Sequence, residues 1–137
     1  MIQAMAQEAG FDIKLQAIEF ASGLAAAKQG NFQAIMAGWS GRLDPDGNAY
    51  SFLHSNGALN DAHYANEEVD RMLDAARVAG SAAERKALYN KIQEQVNQDL
   101  PILYLYHTAW IWAYATSLQG FTPVPDGMIR VLDLSKS

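Results

Sequence analysis

Cysteine is absent from this sequence, which rules out structural disulfides and thiolate metal sites. Runs of basic residues are absent as well. Ten Lys and Arg stand against fifteen Asp and Glu, a net charge of −5, and the cations never gather into a block. That balance weighs against nucleic acid or an anionic membrane as partner. It leaves room for a small anionic ligand, for which one arginine suffices. No apolar run approaches the roughly twenty residues of a membrane span. GxSxG, P-loop, GxGxxG and HExxH patterns are all missing. Without a nucleophile–base signature, the expectation is a protein that is not an enzyme and uses no cofactor.

What is present is globular in kind. Half of the 137 residues are hydrophobic and 18% are charged, a mixture that builds a core rather than a disordered chain. The length suits one ordinary domain. The opening MIQAMAQEAG has neither the basic nor the apolar region of a signal peptide. It reads as an amphipathic helix already under way, with Ile2, Met5, Ala6 and Ala9 on one face and Gly10 as its stop. The expectation is a piece of something longer.

FDIKLQA alternates strictly, with Phe11, Ile13, Leu15 and Ala17 on one face, as a half-buried strand does. Ser22 is the candidate N-cap of a short helix to Gln29, closed by Gly30, and FQAIMAGW then reads as a buried strand. Strand, helix and strand make a βαβ unit with a parallel pair, so the fold class is α/β. Ligands of such sheets sit beyond the carboxyl ends of the strands. The loop GWSGRLDPDGN begins at one of those ends.

Within the ligand loop, 38–65, residues 40 to about 65 show no period. Structureless loops beyond about 12–15 residues are uncommon in compact domains, and Tyr50, Phe52, Leu53, Leu59 and Tyr64 predict that this one is packed. Two helices follow, over 66–79 and 82–99. Asn66 caps the first, which buries Val69, Met72, Leu73 and Ala76. Ser81 and Glu84 form a capping box for the second, which buries Leu88, Ile92 and Val96 until Pro101 stops it. PILYLYHTAWIWAYA reads as extended, with Tyr104, Tyr106, Trp110, Trp112 and Tyr114 sharing a face. That face serves as sheet core or as ligand wall. The tail from Met128 has room for one more short strand.

Candidate chemistry concentrates in the loop. Trp39 offers a stacking face, and Arg42 a bidentate clamp for carboxylate or phosphate. The competing role for Arg42 is an internal pair with Asp44 or Asp46. Asp44, Asp46 and Asn48 fall at the first, third and fifth positions of a calcium loop. The required sixth and twelfth places hold Ala49 and Ser55, so the pattern fails. His54, His63 and His107 lack metal-ligand spacing, and no metal site is expected.

Five blocks, in order, resemble the C-terminal part of the family 5 extracellular solute-binding proteins, the dipeptide-, oligopeptide- and nickel-type receptors of ABC importers. They are QAMAQEAGFDIKLQAIEF, GNFQAIMAGWSGRLDPDGN, NDAHYANEEVDRMLDAAR, AERKALYNKIQEQVNQDLPILYLYH and SLQGF. The resemblance implies a periplasmic-binding-protein-like second lobe made mainly of residues 1–100. Residues 101–137 would return towards the hinge and the first lobe.

It further implies an extracytoplasmic receptor that closes on a ligand and hands it to a membrane permease. Trp39, Ser40, Gly41, Arg42 and Asp44 would line the site, with Tyr106 and Trp110 as secondary candidates. In peptide-binding members an aspartate near this loop meets the peptide's amino terminus. The comparable place here is Arg42, which favours a peptide's carboxylate, an opine or another small anion. The rival expectation is a stand-alone interaction module working through the aromatic face.

Overall fold

The computed structural model describes residues 1–137. It contains five helices and two short strands: α1 (Ile2–Glu8), α2 (Phe20–Lys28), α3 (Asp46–Leu53), α4 (Glu67–Val78), α5 (Ala82–Asp99), β1 (Leu118–Gln119) and β2 (Ser135–Lys136). No helix is long and apolar enough to cross a membrane. The chain packs as two units, Met1–Met36 and Ala37–Ser137.

In the first unit, α1 ends as its sequence predicts. Gly10 takes φ +89°, and the Phe11 N–H returns to the Ala6 carbonyl at 2.9 Å, closing the helix with a left-handed residue. α2 starts earlier than expected. Its N-cap is Glu19, whose carboxylate accepts from the Ser22 N–H at 3.0 Å, so Ser22 lies inside the first turn. The carboxylate satisfies an orphan amide of the first turn, that of Ser22 itself. The Ala21 amide first, and then that of Ser22, lower the Glu19 pKa.

The βαβ expectation is corrected. Residues 11–17 and 32–39 form no strand and belong to no ladder, and 33–34 are a bend. Phe11 is 65% exposed and Leu15 76%, so most of the alternating face is open, with Ile13 alone partly buried. An extended segment becomes a strand only when its N–H and C=O groups pair with a neighbour. Neither segment finds one within these residues. Residues 103–115 are likewise unpaired. The one sheet is antiparallel, matching Leu118 with Lys136 and Gln119 with Ser135, and it supplies the short strand expected in the tail. Gly120 is required beside it: a Cβ there would lie 1.9 Å from the Asp133 carbonyl oxygen.

The second unit holds the core. Leu53 of α3, Val69 and Leu73 of α4, and Ile92 and Val96 of α5 form one buried cluster. Tyr50, Phe52, Tyr64, Met72, Tyr89 and Ile102 pack around it. Val69, Leu73 and Ala76 recur at helical spacing, which turns one face of α4 inward. Burying a side chain such as Leu73 contributes about 1.5–3 kcal/mol.

The caps are those the sequence marks. The Asn66 side chain accepts from the Glu68 and Val69 amides, and Ser81 Oγ from the Glu84 amide. Glu84 answers one residue earlier than a capping box requires, accepting from the Gly80 N–H at 3.1 Å. Leu100 adopts φ +49° after α5, and Pro101 prevents continuation.

The loop of residues 38–65 is also corrected, since α3 occupies its middle. Gly47 and Asn48 in the first turn of α3 hide its period, while Ala49, Tyr50, Phe52 and Leu53 turn to the core. After α3, Asn60 holds Tyr64 by both main-chain groups, at 2.7 and 3.0 Å. Tyr64 Oη then donates to Asp99 at the end of α5.

Candidate ligand-binding loop

The loop opens at Trp39, whose indole is 45% exposed. Its ring meets Phe52 of α3 edge-on at 5.1 Å, and its Nε1–H donates to Asn48 Oδ1 at 3.0 Å. Gly41 follows with φ +77°, a conformation that bends the chain back and suits glycine. The bend lays the Arg42 guanidinium over the Trp39 ring, 4.2 Å from its centroid. Gly47 makes room for this: a Cβ there would come within 3.0 Å of Arg42 Cβ and Cγ.

Asn48 ties the turn together with all four of its hydrogen-bonding positions. Its Oδ1 accepts from Trp39 Nε1 and from the Arg42 amide at 2.6 Å. Its Nδ2 donates to the carbonyls of Arg42, at 2.7 Å, and Asp44, at 3.2 Å. The two N–H partners only donate and the two carbonyls only accept, so the orientation of the amide is fixed.

The aspartates have other partners. Asp44 is clamped by Arg85 of α5, Nη1 to Oδ2 at 2.9 Å and Nη2 to Oδ1 at 2.5 Å, and it also accepts from the Asp46 N–H. These contacts, Arg85 first, lower the Asp44 pKa from 3.8 to about 2. Arg85 is correspondingly held in its charged form. Asp46 is clamped by Arg77 of α4 at 2.8 and 3.0 Å, and Arg77 lies over the Tyr50 ring. Both carboxylates that Arg42 was expected to compete for are therefore engaged elsewhere.

Arg42 itself forms no ion pair. Its Nη1 donates to Ser40 Oγ at 3.1 Å and to the Gly41 carbonyl at 2.7 Å. Those bonds use both Nη1 protons. The Nε–H and the two Nη2 protons have no partner, and together they make the edge that grips a carboxylate side-on. The Met128 amide and then Arg130 lower the Asp126 pKa, and the Arg42 charge is the least of the causes. Asp126 is paired with Arg130.

Contacts join some of the seven candidate residues. Trp39, Ser40, Gly41 and Arg42 come together, with Asp44 turned aside to Arg85. Tyr106, 71% exposed, and Trp110, 50% exposed, form no hydrogen bond or ring contact with the loop. Trp110 stacks with Trp112 at 6.2 Å and lies against Gly127; Trp112 and Tyr114 meet Phe121. Sequence reasoning missed Asn48, Arg77 and Arg85. In sequence Asn48 stands out only as the fifth position of a calcium pattern that fails. The two arginines stood in quoted family blocks whose partners are remote in sequence.

No protein-family model matches the chain. Curated proteins do. The chain is 29% identical over 135 residues, 94% of its length, to the peptide transport periplasmic protein SapA of Haemophilus influenzae. It is 32% identical over 126 residues, 89% of its length, to protein XP55 of Streptomyces lividans. It is 29% identical over 130 residues, 93% of its length, to the periplasmic oligopeptide-binding protein OppA of Escherichia coli. The chain spans about a quarter of each relative, 24%, 23% and 24% of their lengths.

The class these matches define is the solute-binding proteins. Within it, the chain is similar over about 90% of its residues to the peptide-binding proteins of family 5, the resemblance its sequence blocks carry. A mixed fold of helices with few strands is compatible with part of a periplasmic-binding-protein-like domain.

Proposed function

We propose that this chain is a C-terminal piece of the substrate-binding component of an ABC importer. It captures a peptide-like or other small anionic solute outside the cytoplasm and passes it to a membrane permease. Residues 1–100 belong to the second lobe and 101–137 return towards the hinge. The mechanism is closure of two lobes around the ligand, with no covalent step. The names of the relatives support the solute-binding role, whereas nothing in them favours a stand-alone interaction module.

The observation that carries this reading is the state of Arg42. It rests on an aromatic face with its side-on edge free, while both neighbouring aspartates are bound to other arginines. Such a group attracts a carboxylate or phosphate and repels an α-ammonium. The ligand's anionic end meets Nε and Nη2 of Arg42. Trp39 supplies a stacking face, and Ser40 and Gly41 line the turn. Asp44 borders the site while its carboxylate holds Arg85. Tyr106 and Trp110 are the secondary wall.

The test is a thermal-shift screen of the full-length protein against peptides, acidic opines and sugar phosphates. A ligand at about a thousandfold excess over its Kd adds about 4 kcal/mol of stability. The expected result is a shift with an anionic compound that Arg42→Ala abolishes. A shift with peptides that is untouched by Arg42→Ala keeps the receptor and removes the arginine from its site. No shift with any compound counts against solute binding.

A further inference from the structure

We infer that Asn48 is a positioning residue, which makes Trp39 and Arg42 one rigid recognition element for a carboxylate. The inference rests on the ligand site proposed above and names what orients it. An arginine on a surface loop ordinarily samples many rotamers, and fixing it costs entropy when a ligand binds. Here that ordering is already in place.

One amide oxygen holds the Trp39 indole and the Arg42 N–H together, at 3.0 and 2.6 Å. The amide nitrogen of the same side chain holds the Arg42 and Asp44 carbonyls. Asn48 thus fixes the ring and the Arg42 main chain relative to one another; the guanidinium, held by Ser40 Oγ and the Gly41 carbonyl, lies 4.2 Å over that ring. Asn48 stands in the first turn of α3, and Asp46 in that same turn is tied to α4 through Arg77. The main chain from which the guanidinium departs is in this way tied to the helical core. Because Asn48 touches neither the free Nε–H nor Nη2, it acts on a ligand only through its two clients.

Selectivity follows from this geometry. A fixed side-on edge favours a planar carboxylate, which accepts both donors at once. It gains little from a neutral amide of the same shape, which offers one acceptor oxygen. Trialanine and its C-terminal amide form a suitable pair of probes. The ratio of their affinities reads out carboxylate recognition separately from the rest of the site.

The experiment uses the full-length protein, 15N-labelled at tryptophan and arginine, as wild type, Asn48→Ala and Asn48→Asp. The aspartate keeps the oxygen acceptor and removes both amide donors, which guards against an alanine variant that does not fold. The first arm, without ligand, follows the Trp39 indole and Arg42 Nε–H resonances. Both are expected to move in Asn48→Ala, with the Arg42 signal exchanging faster with water. In Asn48→Asp the Trp39 signal is expected to stay and the Arg42 signal to move.

In the second arm, measured below each variant's own thermal midpoint, the acid-over-amide affinity ratio is expected to fall at least tenfold in both variants. Unmoved resonances would overturn the positioning role whatever binds. Moved resonances with an intact ratio would overturn the link to carboxylate recognition. If neither probe binds the wild type, the peptide-like ligand class fails, and the first arm alone decides the role of Asn48.

Discussion

Asp44 and Arg85, far apart in sequence, meet across two parallel hydrogen bonds of 2.5 and 2.9 Å. The contact anchors the start of the Asp-Pro-Asp-Gly-Asn turn to α5, and Arg77 anchors Asp46 to α4 in the same manner. Two of the sequence blocks that carry the family resemblance are thus physically joined by one ion pair, and a third by the other. Each pair is partly open to water, so its geometric role outweighs its contribution to stability.

The pair sets an expectation for acid stability. Asp44 is held at about 2 in the folded chain against 3.8 in a free side chain. A lowered folded pKa gives stability that is fully present above about pH 4 and is lost as the pH falls towards 2. Asp44→Asn should flatten that part of the stability–pH curve. Asp99, Asp126 and Glu19 shift in the same direction, so the difference between variant and wild type isolates Asp44. Urea denaturation at a series of pH values gives the curves. Superimposable slopes would count against the clamp.

In the core, Leu73 is completely buried between α4 and α5. Leu73→Ala is expected to cost about 2–5 kcal/mol. Leu132, 95% exposed, provides the control, and Leu132→Ala should be nearly neutral. Equal losses at the two positions would contradict this core.

The cap of α4 predicts a smaller change. Asn66→Ala removes an acceptor for two amides, at 3.0 and 3.3 Å, and should cost about 1 kcal/mol with an unchanged denaturant slope. The same measurement on Asn31→Ala, which caps nothing, should show little change.

Close packing beneath the loop gives a fourth expectation. A Cβ on Gly57 would meet the main-chain oxygens of Ser51 and Tyr50 at 2.5 and 2.7 Å. Backbone does not move aside as a flexible side chain does, so Gly57→Ala should destabilise by about 1–3 kcal/mol. Calorimetric unfolding would register this as a lowered Tm; an unchanged Tm would contradict the close approach.

How much of this was legible in the sequence follows from how local each feature is. α4 and α5 are written locally, by Asn66 and Ser81 at their starts and by apolar residues recurring along one face. α3 was hidden because glycine and asparagine occupy its first turn, where they look like ordinary turn chemistry. The strands expected at 11–17, 32–39 and 101–115 pair with nothing because an alternating or apolar run specifies faces to bury but not a partner. In the loop, Trp39 and Arg42 stood out as residues that a turn does not need. Asn48 did not, because its meaning depends on Trp39 nine positions earlier.

The central claim is that Arg42, held on Trp39, receives the anionic end of a solute. It is tested most directly by calorimetric titration of the full-length protein with the compound giving the largest thermal shift, in wild type and in Arg42→Gln. Glutamine keeps a polar side chain while removing the charge and the bidentate edge. The expected result is a Kd at least tenfold weaker in the variant, with an unchanged unfolding temperature in the absence of ligand. An unaltered Kd would contradict the claim.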